Sequence, residues 1–216
     1  MTSFDKLFDV VRLHGNGFLQ MDVCPNWRLH IFHPELIKFG QKTRTPIHDH
    51  VFDMTSNVLY GELKHIHYGM FEPKDYKFGE YDIFSVLYDG NKTVESTLSR
   101  HSVDPVCFKV LAEYNMKAGS SYRFKAGEWH ESLSEGLTIT LIHKSEAKTN
   151  MARVACLIGS SPDNDFKRNS IPKHITEKYR NILEDKIKIE TITKIIMSKY
   201  VGDIKEDLRA QASLDL

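Results

Sequence analysis

Residues 47–61 read Ile-His-Asp-His-Val-Phe-Asp-Met-Thr-Ser-Asn-Val-Leu-Tyr-Gly. On an extended chain, side chains at i and i+2 project to one face, so His48 and His50 present two imidazoles to a common point where they can chelate one metal ion. The pair alone says little, because His65 and His67 repeat it a short way downstream. The residues just after His50 are more informative. Val58-Leu59-Tyr60-Gly61-Glu62-Leu63 reads as a strand, a tight turn and a returning strand, with a glycine where a positive φ can be needed.

The same grammar extends in both directions. From about Phe18 to Ile158, short apolar runs alternate with turn residues, which is the pattern of a sandwich or barrel rather than of βα units. Strands are expected at Trp27–Phe32, Ser56–Tyr60, Leu63–Tyr68, Asp82–Tyr88, Phe108–Tyr114, Ser121–Phe124, Leu137–His143 and Arg153–Leu157. Further turn glycines stand in Asp89-Gly90-Asn91, Lys117-Ala118-Gly119 and Lys125-Ala126-Gly127. After Gly159 the chain becomes polar and carries two prolines. From Ile175 on, Tyr179, Ile182, Leu183, Ile187, Ile192, Ile195 and Ile196 fall close to helical spacing. This predicts a β domain over 1–158, with a helix-and-strand lead-in, and a linker with a helical extension over 159–216. The extension should be one broken helix or two ending near Tyr200-Val201-Gly202, then a short helix to the C-terminus. It is expected to pack on the β domain as a lid, with an oligomerisation helix as the alternative.

A second stretch stands in register with the first. Gly119 is followed by five residues and Lys125, then after one residue by Gly127, and after two more by His130. In both order and spacing, these two stretches resemble the paired motifs of the cupin superfamily over roughly residues 27–145. The resemblance implies a mainly β fold, a cupin jelly-roll β-sandwich or barrel with a C-terminal helical extension, and a metal site of His48, His50 and His130. The usual motif glutamate is replaced by Met54, the proline by Lys125 and the final asparagine by Ser134; no glycine stands six residues before His48. The resulting three-histidine set resembles cysteine dioxygenase-type cupins, which share the Ile-His-Asp-His string and use Fe(II). Three neutral imidazoles leave a divalent ion its full charge and open positions.

Around this set, Arg28 and His30 alternate onto one face of the Trp27–Phe32 strand. Arg28 offers a planar pair of donors to a carboxylate or phosphate. Tyr122 shares a face with Phe124 just before the second motif, as a substrate contact or as core. Glu128 and Asp53 are candidate proton carriers; Asp53 could also be a fourth ligand, a hydrogen-bond acceptor for a ligand histidine, or a loop residue. His143 occupies the segment where cysteine dioxygenase-type enzymes carry a Ser-His-Tyr relay. His65 and His67 read as a surface pair, with an inward His65 as the alternative.

The 216 residues include 29 Lys plus Arg, 29 Asp plus Glu and 11 His, so charge is balanced and no basic footprint for nucleic acid is expected. No run approaches the roughly 18–20 apolar residues of a membrane span, and the first residues lack a signal peptide's pattern, so a cytoplasmic location is expected. Cys24, Cys107 and Cys156 are too widely spaced for a zinc knuckle and odd in number for a disulfide framework. The leading expectation is a non-haem Fe(II) oxygenase acting on a small polar molecule, with a homodimer open. The alternatives are a Zn, Mn or Ni hydrolase, lyase or isomerase of a small anionic metabolite, phosphorylated and nucleotide ones included, and a non-catalytic cupin binding a small anion through Arg28, Arg44 and the histidines.

Overall fold

The computed structural model describes residues 11–40, 46–73, 80–88, 96–101, 104–159 and 171–200. Twelve strands are seen among them: β1 (Arg12–Leu13), β2 (Leu19–Cys24), β3 (Trp27–Phe32), β4 (Phe52–Tyr60), β5 (Glu62–Phe71), β6 (Tyr81–Tyr88), β7 (Ser96–Arg100), β8 (Cys107–Lys117), β9 (Ser121–Phe124), β10 (Trp129–Leu133), β11 (Thr138–Ala147) and β12 (Ala152–Leu157). A one-turn helix α1 (Pro34–Ile37) follows β3, and α2 (Lys173–Lys186) follows the strands. After a break at 187–188, residues 189–200 are helical again. The eight expected strands are all present, and the helical part comes as two segments. Arg44, the Asp89-Gly90-Asn91 turn, the linker at 160–170 and everything from Val201 on lie outside the described residues.

One sheet runs β1-β2-β3-β11-β4-β9. Two further three-stranded groups, β10-β5-β8 and β12-β6-β7, are joined by the short segment around His48, which bridges to His130 on one side and Val154 on the other. All the pairings are antiparallel. From β3 to β11 the chain passes between the two sheets so that early and late strands become neighbours, as in a jelly roll. β6, β7 and β12 extend the second sheet beyond the His48 segment.

β3 shows why the first sheet is buried on both sides. Trp27, Leu29 and Ile31 face outward and join Leu19, Met21, Ile139 and Leu141 in the largest apolar cluster, while Arg28, His30 and Phe32 face the interior. The outward cluster is closed by Ile175, Tyr179 and Leu183 of α2, spaced i, i+4, i+8, and then by Ile187 and Ile192. Lys178 of α2 also pairs with Glu35 of α1. The described helices, 173–200, therefore cover the outer face of the six-stranded sheet, on the side away from the interior cavity, and do not close over that cavity.

Gly61, Gly119 and Gly127 have φ of 77°, 89° and 78°, so three of the expected turns use glycine for its left-handed backbone. At Gly61 a second reason appears. A Cβ there would lie 2.1 Å from the Leu137 carbonyl oxygen.

Candidate metal centre

The segment 46–50 is not a full strand: His48 is its only bridge residue. His48 exchanges backbone hydrogen bonds with His130 in both directions, each 3.0 Å, and this places the two rings on one side with centroids 4.6 Å apart. His50 closes the triangle, 4.8 Å from His48 and 5.1 Å from His130. One ring nitrogen from each of the three lies within 4.8 Å of the others.

The tethers of the rings decide which nitrogens are available. His48 Nδ1 lies 2.7 Å from the Pro46 carbonyl oxygen, and His130 Nδ1 lies 3.0 Å from that of Glu128. A carbonyl only accepts, so each Nδ1 carries the hydrogen and each Nε2 keeps its lone pair for a cation. Burial, reinforced by the neighbouring imidazoles, holds His50 and His130 well below the ordinary histidine range. Converging imidazoles, two of them held through Nδ1 by backbone carbonyls, are the donor set a divalent transition ion takes.

The triad opens into a cavity of about 290 Å³ between the sheets. Its wall includes Arg28, His30, Tyr122 and Lys144 among polar groups, and Phe18, Phe32, Phe52, Met54 and Phe124 among apolar ones. No carboxylate lines it among the described residues. Arg28 donates through Nε to Asp22 at 2.8 Å, and Arg12 pairs with the same carboxylate. His30 is pushed down to about 3, by burial first and by Arg28 second, so it is neutral in the wall. Its Nε2 and the Thr140 hydroxyl, cross-strand neighbours on β3 and β11, have no hydrogen-bond partner among the described residues. Met54 packs with Phe124 and Ile142, so the position of the missing motif glutamate is an apolar patch of the wall.

The other three expected site residues go elsewhere. Asp53 accepts from the Ala126 amide at 2.9 Å and pairs with Lys148 at 3.1 Å; these contacts hold its carboxyl below the usual range. Glu128 accepts from the Lys125 amide at 2.8 Å. His143 packs against Trp27, centroids 4.7 Å apart. All three line a second cavity, of about 420 Å³, that shares only Met54 and Phe124 with the first. The reason is the strand period: Asp53 and His143 each lie one residue out of phase with the inward positions of their strands, and Glu128 sits in a turn whose amide it caps.

Two further residues belong to the site. His65, expected at the surface with an inward placement as the alternative, is buried, with its ring 5.2 Å from His130 and 4.7 Å from Tyr122. Its Nδ1 contacts the Ser132 hydroxyl at 3.3 Å, and burial pushes its own titration down to about 4. Tyr122 is raised by burial, an effect offset in part by the Ser56 and Ser132 hydroxyls. The alternation Leu63, His65, His67 was visible, but not the inward direction of that face. The second is Asp49, between the two ligand candidates. It is buried at 2% exposure and grips Arg153 of β12, accepting Nε at 2.7 Å and pairing with Nη2 at 2.6 Å.

No family model matches the sequence, and none of the curated proteins matches it. Among solved structures, the chain is similar to hydroquinone 1,2-dioxygenase from Sphingomonas sp. TTNP3 with 4-hydroxybenzoate bound, at 7% identity over 56% of this chain and 60% of that one, TM-score 0.29. It is also similar to hydroquinone 1,2-dioxygenase PnpCD in complex with Cd2+ and 4-hydroxybenzonitrile, at 13% identity over 58% and 61%, TM-score 0.30. A third likeness is to Drosophila melanogaster CENP-C bound to CAL1, at 11% identity over 67% and 85%, TM-score 0.33. The chain thus spans about three-fifths of the length of the two dioxygenases, at 60% and 61%. Likenesses of this extent carry no argument about the chemistry of this chain.

Proposed function

We propose that this chain is a metal-dependent cupin that holds one divalent ion through His48, His50 and His130 and acts as a non-haem Fe(II) oxygenase on a small polar molecule in the 290 Å³ cavity. The observation that supports this most is the convergence of His48, His50 and His130, two of them tethered through Nδ1, in a cavity without a carboxylate among the described residues. An Fe(II) ion held there would supply the redox chemistry of dioxygen activation. The chain's own residues do the rest. Arg28 and Lys144 make the wall electropositive and favour a substrate with a negative or electron-rich end. Phe18, Phe32, Phe52 and Phe124 exclude water around its body. Tyr122, with Ser132 and His65 behind it, offers a phenolic proton beside the triad.

The hydrolase, lyase or isomerase reading assigns proton transfer to Asp53 or Glu128, whose carboxylates accept from turn amides outside the cavity. That weighs against it. A purely binding cupin is separated by experiment. Elemental analysis of the purified wild type should find about one equivalent of transition metal, lost in both His48→Ala and His130→Ala. Iron-loaded protein should then consume oxygen with a member of a thiol and small-acid panel. A metal-free wild type, or no uptake across the panel, overturns the proposal.

A further inference from the structure

The triad sits on a seam. Among the described residues two bridged stretches link the β10-β5-β8 and β12-β6-β7 groups: the 47–50 segment, and Tyr81 of β6 with Val106 just before β8. On one side His48 pairs with His130; on the other the Asp49 amide donates to the Arg153 carbonyl and the Ala155 amide to that of Ile47, each at 3.0 Å. Side chains reinforce this stretch of the seam. The Asp49 carboxylate adds a fork to Arg153 through Nε and Nη2, and the Arg153 backbone amide donates to its other oxygen. The Arg153 guanidinium also lies over the Trp129 ring, 4.9 Å from its centroid. Trp129 precedes His130, and Asp49 stands between His48 and His50. One side chain from β12 therefore touches both ligand-bearing segments from behind.

We propose that Arg153 is a positioning residue that couples the metal centre to the docking of the β12-β6-β7 half-sheet, so that an ion at the triad tightens the seam and an intact seam raises affinity for the ion. The inference rests on the metal site proposed for the triad. The coupling is reciprocal by necessity: whatever free energy the Asp49–Arg153 clamp lends to ion binding, the ion returns to the clamp. A guanidinium that brings Nε and Nη2 to one oxygen of a buried carboxylate, while its own backbone amide takes the other, has a geometry that a lysine ammonium lacks.

Cobalt(II) titration of the apoprotein is the test, with hydrogen exchange on the wild type. Wild type should bind one equivalent with the visible spectrum of a defined site. Arg153→Lys and Asp49→Asn should bind about 10- to 100-fold more weakly and with an altered spectrum. In the wild type, cobalt should slow exchange of the Asp49 and Ala155 amides selectively, relative to Leu29 and Ile139 in the other sheet. Equal affinity and spectrum in the variants, or protection spread evenly over both sheets, overturns the coupling while leaving the metal site standing. Failure of the wild type to bind cobalt overturns both. The exchange experiment uses the wild type alone, so a variant that fails to fold does not remove the test.

Discussion

Gly61 shows what a single residue has to satisfy. Its φ of 77° is reachable by other residues at a cost, but a Cβ placed there would overlap the Leu137 carbonyl, and a backbone oxygen cannot rotate away. Gly61→Ala should therefore lower unfolding stability by about 3 kcal/mol, as read from urea midpoints at unchanged m-value. Gly119→Ala, with the same backbone sign but open space around it, should cost less, about 1 kcal/mol. The sequence made both glycines legible as turn residues, and His48, His50 and His130 as a set, because spacing along the chain encodes them. It did not reveal the Leu137 oxygen, the inward turn of His65 or the grip of Asp49 on Arg153. Those depend on which face of a strand meets which neighbour, and the local pattern there was mixed on both faces.

At the scale of elements, alternation and turns were enough for eight strands, and helical spacing was enough for α2. Of the four strands that escaped, β1, β2, β7 and β10, three are informative. β1 has two residues, too few for a period; β2, Leu19–Cys24, buries its first three residues in succession; β10, Trp129–Leu133, does the same because it lies between the cavity and the Trp129 cluster. Burial on both faces erases the period of two. Alternation placed Arg28 and His30 on one face without saying which way it points, and the structure turns that face to the cavity; Asp53 and His143 lie one residue out of phase with the inward positions and line the second cavity. The α2 stripe leads to a separable prediction. Leu183 is fully buried against the six-stranded sheet, so Leu183→Ala should cost about 2–5 kcal/mol by thermal or urea unfolding. Metal content and affinity should stay at the wild-type level, because α2 packs on the face of the sheet away from the triad. A parallel loss of metal in the folded variant would contradict that separation.

For the molecule as a whole, acidity is the sensitive variable. In the fold, His30 is pushed down to about 3, against about 6.5 when unfolded. As pH falls below about 6.5 the unfolded chain takes up a proton that the fold refuses, so this stability is present above that pH and is lost toward pH 3, at up to about 1.4 kcal/mol per pH unit. His50, His65 and His130 act in the same direction. Urea midpoints of the apoprotein should fall steeply between about pH 6 and 4, and His30→Gln should flatten that slope; an unchanged slope would show that His30 is protonated in the fold. The balanced charge of the whole chain foretold none of this, since it averages over a cavity that keeps its imidazoles neutral. The seam carries one more consequence, for synthesis. Asp49 and Arg153 are 104 positions apart, and His130 arrives long after His48. Closing so large a loop is a late and slow event in folding. While the ribosome is still making β12, the two early histidines have no finished clamp, so the proposed ion would find a completed centre only after β12 has been made.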